Sequence, residues 1–151
     1  MGCEIRMRVP NWESKLATYL DECRNKIFIY GEDAEDGKTF DCCSFCIGAE
    51  KVMYGKTQFP EYVDAYKSLK EGKALLKKLG YRNWITAVDK KLIKINPKLA
   101  QRGDLVSYKF NNSFILGICV GKDGVFVGED YRESSLVFMP MELMKYAWRF
   151  S

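Results

Sequence analysis

Any chemistry in this chain would have to begin at its cysteines. There are six, Cys3, Cys23, Cys42, Cys43, Cys46 and Cys119, and there is no histidine among the 151 residues. Without imidazole, the commonest general base and the commonest metal ligand are both missing. Cys42, Cys43 and Cys46 stand as Cys-Cys-x-x-Cys. A structural zinc takes four ligands, usually as two spaced pairs, and the remaining cysteines are scattered singly. The trio is therefore only a weak metal candidate, and the expectation is no metal and no cofactor. Position is more informative, because Asp41-Cys42 follows a polar loop and opens a segment with helical spacing. A thiol at a helix N-terminus meets the positive end of the dipole and unpaired backbone N–H groups, so its pKa falls. The same N–H groups can stabilise an oxyanion. Cysteines also pack as small hydrophobes, so Cys42 reads either as a nucleophile or as an inert thiol.

The elements that would carry these residues follow from hydrophobic period. Asn11 can cap a helix over 11–25, whose apolar positions are Trp12, Leu16, Tyr19, Leu20 and Cys23. Ile27–Tyr30 is a short extended run, and the acidic, glycine-bounded stretch 31–38 is a loop. Asp41 can cap a second helix, 41–54, with Phe45, Cys46, Ala49, Val52 and Met53 inward and Gly55 ending it. Basic helices are expected over about 61–70, 71–79 and 83–94, until Asn96-Pro97 breaks the run. From Gly103 the period shortens to two, and strands are expected over 104–110, 114–120, 125–127 and 136–139. One helical turn at 141–145 precedes Trp148-Arg149-Phe150. Helices first and an antiparallel sheet second make an α+β fold: one domain over 1–151, helical over about 11–95 and sheet over about 103–150.

Composition sets outer limits. With 47% apolar and 29% charged residues, the chain has the balance of a globular protein. No apolar run reaches the length of a membrane-spanning helix. Nothing in the first residues resembles a signal peptide, so a cytoplasmic setting with reduced thiols is expected. The net charge of +4 is unevenly spread: residues 62–102 carry 11 basic and 3 acidic side chains. Lys67, Lys70, Lys73, Lys77 and Lys78 fall on polar helix faces, as a solvated surface or a partner surface would. Aromatic RNA signatures and zinc-finger spacings are absent, so nucleic acid is not an expected partner. Arg102-Gly103-Asp104 reads as the turn into a strand, and Gly121–Gly124 as a hairpin turn. Glu129, Asp130 and Glu133 read as solvated loop carboxylates, and Trp12, Trp84 and Trp148 as core or interface residues.

Four motifs then stand in order: Asp41-Cys42-Cys43-Ser44-Phe45, Gln101-Arg102-Gly103-Asp104-Leu105-Val106, Leu116-Gly117-Ile118-Cys119-Val120-Gly121 and Ala147-Trp148-Arg149. Their order resembles the NlpC-type, papain-like cell-wall peptidases. More narrowly, it is similar to a small family of phage tail-region proteins related to them. The resemblance covers about residues 10–150 and implies a papain-like fold with Cys42 at the nucleophile position. It places the base position at Ile115, immediately before Leu116-Gly117-Ile118. Isoleucine cannot take a proton, and a nucleophile without a base loses much of its activation.

The functional expectation is therefore a disabled peptidase fold, acting by protein–protein binding in a phage tail tip. Its partners would be other tail-tip or hub proteins. It would be made in the host cytoplasm and carried in the virion tail. The alternative is a cysteine peptidase or amidase that cuts peptidoglycan stem peptides with a base other than histidine. The interface candidates are Tyr66, Lys73, Lys77, Lys78 and Trp84 on the basic stretch, where aromatic anchors stand beside steering charge.

Overall fold

The computed structural model describes residues 7–24, 27–28, 39–40, 42–63, 69–110, 113–127 and 136–150. Helix α1, Trp12–Cys23, buries Leu16 and Cys23. The cap differs from expectation. Asn11 sits at φ 60° and makes no side-chain capping bond; its carbonyl accepts from Lys15 N–H at 3.0 Å. Asparagine is among the few residues that adopt the left-handed region readily, so it contributes here by backbone shape. Helix α2, Cys42–Tyr54, turns Cys43, Phe45, Cys46, Ala49 and Met53 into the core. Gly55, at φ 83°, ends it as expected. The two helices pack closely because Gly48 has no side chain: a Cβ there would collide with the Tyr19 ring, whose hydroxyl donates to Phe45 O at 2.7 Å.

The basic stretch matches its expected helices only in part. In place of a helix from 61 there is one 3-10 turn, Pro60–Tyr62, and the chain leaves it extended at Val63. Tyr62 is buried and directs the chain inward; residues 64–68 lie outside the described set. Helix α3 spans Leu69–Lys78 and α4 spans Trp84–Lys91. Asn83 and Thr86 form a reciprocal capping box on α4. The expected continuation to residue 94 is not helical. Leu92 turns extended, and Ile93–Ile95 forms strand β3, where β-branched side chains pack well.

A six-stranded antiparallel sheet follows, in the order β3-β8-β4-β5-β6-β7. Its strands are β4 (Leu105–Phe110), β5 (Ser113–Cys119), β6 (Asp123–Val127), β7 (Leu136–Pro140) and β8 (Tyr146–Arg149). Strands β4 to β7 lie where the alternation placed them, and a 3-10 turn occupies Met141–Leu143. Strand β8 is the larger surprise, since the chain end inserts between β3 and β4 as an interior strand. A separate parallel pair joins β1 (Ile27–Phe28) to β2 (Thr39–Phe40); the sequence had suggested only the first of these.

All four helices pack on one face of the large sheet. Their buried side chains share a single core with Leu105, Leu116, Ile118, Val125 and Trp148. The other face carries a second, smaller cluster: Val106, Cys119, Phe126, Met144 and Ala147. Alternation along each strand divides the residues between the two clusters. This is an α+β protein. Among the described residues, no helix is long and apolar enough to cross a membrane.

Candidate functional site

The sequence points to the N-terminus of α2. Cys42 opens this helix; its side chain and Asp41 lie outside what the structure describes. At the other end of α2, Met53 lies against Gly103, where a Cβ would meet Met53 Sδ at 3.0 Å. Gly103 N–H in turn bonds Cys119 O, at the end of β5, at 2.8 Å. Helix α2 packs along β5, and a 13-residue helix is about 20 Å long, close to the length of such a strand.

Which β5 residues face it decides the chemistry. Phe114, Leu116, Ile118 and Val120 belong to the core shared with α2. Ile115 belongs to the cluster on the opposite face, beside its cross-strand partner Tyr108. The structure does not bring the side chain of Ile115 onto the helix face of the sheet. On that face of neighbouring β4 stand Leu105, Ser107 and the exposed Lys109, each directly paired with a helix-face residue of β5. Ser107 is fully buried and its hydroxyl has no hydrogen-bond partner. It is polar, yet a neutral hydroxyl is no base at ordinary pH. The sequence signal for it was a lone serine within Leu105-Val106-Ser107-Tyr108, which motif reading passed over.

Cys43 and Cys46 are buried, at 7% and 6% exposure, in the main core. No group of three cysteine, aspartate or glutamate side chains able to hold a metal ion occurs among the described residues. Tyr62 carries a second buried hydroxyl without a partner, and burial pushes its phenol well above the usual range, with Glu61, Tyr81 and Cys43 adding to the effect. Burial likewise raises Tyr19, with Cys23 next in influence.

The most elaborate polar feature is Asp104. It is 1% exposed and accepts from Gln101 N–H at 2.8 Å. Arg8 and Arg149 approach its two oxygens at 3.8 and 3.7 Å. Burial raises its pKa, and the Gln101 N–H, Arg149 and Arg8 offset only part of that rise. Arg8 also stacks over Trp12 at 4.1 Å and donates to the Tyr54 hydroxyl at 3.2 Å. The carboxylate thus ties the segment before α1 and the last strand to the turn before β4. Arg102-Gly103-Asp104 is that turn, with Gly103 at φ 95° and Asp104 N–H on Gln101 O at 2.9 Å.

Of the expected interface residues, Lys73, Lys77 and Lys78 are exposed on α3 and make no ion pair among the described residues. Trp84 is half-buried, edge-on to Tyr62 at 5.0 Å between centroids. Tyr66, Glu129, Asp130 and Glu133 lie outside the described residues. A groove of 420 Å³ runs between α1 and α2, lined by residues that include Lys15, Thr18, Glu22 and Lys51; it contains none of the expected site residues.

Fold and site define an α+β protein whose helix-face residues on β4 and β5 are apolar or hydroxylic apart from the exposed Lys109. Residues 7–150 match the family described as Domain of unknown function (DUF6950), and the chain belongs to that family. No curated protein matches it, and no solved structure does.

Proposed function

We propose that this protein is a binding component of a phage tail tip, with an NlpC-like, papain-type frame that has lost its catalytic base. The observation that carries the reading is the scarcity of proton-transfer groups in the chain and on the strands packed against α2. The chain has no histidine, and β4 and β5 offer Leu105, Ser107, Lys109, Phe114, Leu116 and Ile118 on the helix face. A cysteine at a helix N-terminus gains thiolate character from the dipole. Acyl transfer also needs a group to carry the proton to the leaving amine; apart from the exposed Lys109, these side chains are hydrocarbon or a neutral hydroxyl.

The phage setting rests on the ordered motifs from Asp41-Cys42 to Ala147-Trp148-Arg149, which resemble a tail-region family. In this reading the protein is made in the host cytoplasm and carried to the tail with other tip or hub proteins. The exposed α3 lysines Lys73, Lys77 and Lys78 steer encounters with an acidic partner.

Peptidoglycan stem peptides incubated with the wild-type protein and with Cys42→Ala test the claim. Neither should release product, and phage carrying Cys42→Ala should assemble normally. Turnover by the wild type that is lost in a folded Cys42→Ala variant would establish the peptidase instead.

A further inference from the structure

We propose that the outer face of the large sheet, opposite the helices, is a docking surface for an acidic protein segment that carries an apolar anchor. The proposal rests on the binding role above and gives that role a location and a partner chemistry. Among the described residues no helix covers this face. Its cover is two 3-10 turns in mutual contact, Pro97–Leu99 and Met141–Leu143. Leu99 and Leu143 stand 64% and 54% exposed, and Ile93, in register with Arg149 on this face, is 44% exposed. On the same face Tyr108, Ile115, Met139 and Met141 pack against the smaller cluster, only partly buried. With Met144 beneath, three of the chain's six methionines gather on one face. Methionine is unbranched and polarisable, and it conforms to incoming side chains better than β-branched residues do.

Charge around this strip selects the partner. Lys98 is on the first turn, and the Lys122 carbonyl accepts from Met141 N–H at 3.0 Å. Lys145 follows Met144, and Arg102 stands just beyond the first turn. All four are exposed, and none makes an ion pair among the described residues. Glu142 is the exposed carboxylate of the two turns. The rim is thus cationic around an apolar centre, which is the anatomy of an interface whose core is desolvated and whose edge chooses the partner's sign. Helix α3 lacks that combination. Its lysines have Leu79, 39% exposed, beside them, while Trp84 is packed on Tyr62. Helix α3 therefore steers and the outer face holds.

The test uses the full-length, isotope-labelled protein and three probes: a short synthetic peptide of Asp and Glu flanking a Leu-Phe pair, the same peptide with Asn and Gln, and an oligothymidylate. The acidic peptide should shift the resonances of Leu99, Met141, Leu143 and Lys122, and should bind more weakly as salt rises. Leu99→Ser with Leu143→Ser, and separately Lys122→Glu with Lys145→Glu, should each weaken it at least about tenfold without changing the fold. Unchanged affinity in both variants would overturn the proposal. So would preferred binding of the oligothymidylate, or a homodimer that the leucine variants dissolve. Shifts confined to α3 would refute this surface while leaving the binding role intact, whereas Cys42-dependent peptide cleavage would remove the role itself.

Discussion

The indole N–H of Trp148 donates to a carboxylate oxygen of Asp89 at 2.8 Å, joining the interior strand β8 to helix α4. Trp148 is fully buried, so its N–H has to find a partner within the protein. Asp89 also faces Lys94 of β3 at 3.7 Å. One carboxylate therefore links the last strand, the last helix and the edge strand.

Trp148→Phe leaves the apolar contacts of the ring largely in place but removes the donor. Loss of a hydrogen bond to a charged group, with the space left by the smaller ring, should cost about 2–4 kcal/mol. Asp89→Asn keeps an acceptor and should cost under about 1 kcal/mol. Urea denaturation of the two variants gives the comparison, and equal losses would show that the bond contributes little.

Gly117 and Gly121 should respond differently to alanine. At Gly117 a Cβ would run into the Phe126 ring and the Val125 carbonyl, in a strand pair that cannot separate without breaking the ladder. Gly117→Ala should cost more than about 2 kcal/mol, as overpacking does. Gly121, at φ 116°, has open space around it, so Gly121→Ala meets only backbone strain, about 1–2 kcal/mol. Thermal denaturation should rank them in that order.

Asp104 gives the acid limb of stability a definite sign. Its folded pKa lies above the ordinary 3.8, so the folded protein holds this proton to higher pH than the unfolded chain does. Its contribution to stability is therefore greatest below 3.8 and falls as pH rises through the folded pKa. Asp104→Asn removes that fall. Stability curves of the two proteins, measured from acid to neutral pH, should diverge in shape; parallel curves would refute the assignment.

The buried cysteines should be slow to react. Cys23, Cys43, Cys46 and Cys119 are all at or below 7% exposure, and burial raises the Cys119 thiol, whose S–H meets the Gly121 carbonyl at 3.6 Å. In native protein near neutral pH these four should resist iodoacetamide and label only on unfolding. Mass mapping of alkylated sites after short exposure reads this directly. Early labelling of Cys43 or Cys46 would contradict the packing.

Charge reversal on α3 should act on encounter alone. Lys73, Lys77 and Lys78 are exposed, so changing all three to glutamate should shift stability by no more than about 0.5 kcal/mol per site. Association with an acidic partner should slow, the effect should shrink in high salt, and dissociation should stay nearly constant. Stopped-flow mixing with the acidic peptide separates the two rates.

Local pattern was enough for much of the fold. The 3.6-residue spacing of Leu16, Tyr19, Leu20 and Cys23, and of Phe45, Ala49, Val52 and Met53, carries α1 and α2, because an amphipathic stripe is a property of consecutive residues. Alternation from Leu105 to Met139 likewise carries four strands of the sheet, and glycine after α2 carries its stop. The candidate thiol and the absence of histidine were legible at once, since composition needs no fold. Other features depended on distant partners. Ile93–Ile95 and Tyr146–Arg149 are too short to show a period, and each becomes a strand by pairing with a segment about 50 residues away. Alternation also says that Ile115 and Leu116 point to opposite faces, yet nothing local says which face receives the helices. Only the packed structure sends Leu116 toward α2 and Ile115 to the outer cluster. It likewise draws Asp104 between Arg8 and Arg149 and leaves the Ser107 hydroxyl buried beneath the helices, because burial is decided by what the rest of the chain lays over a residue.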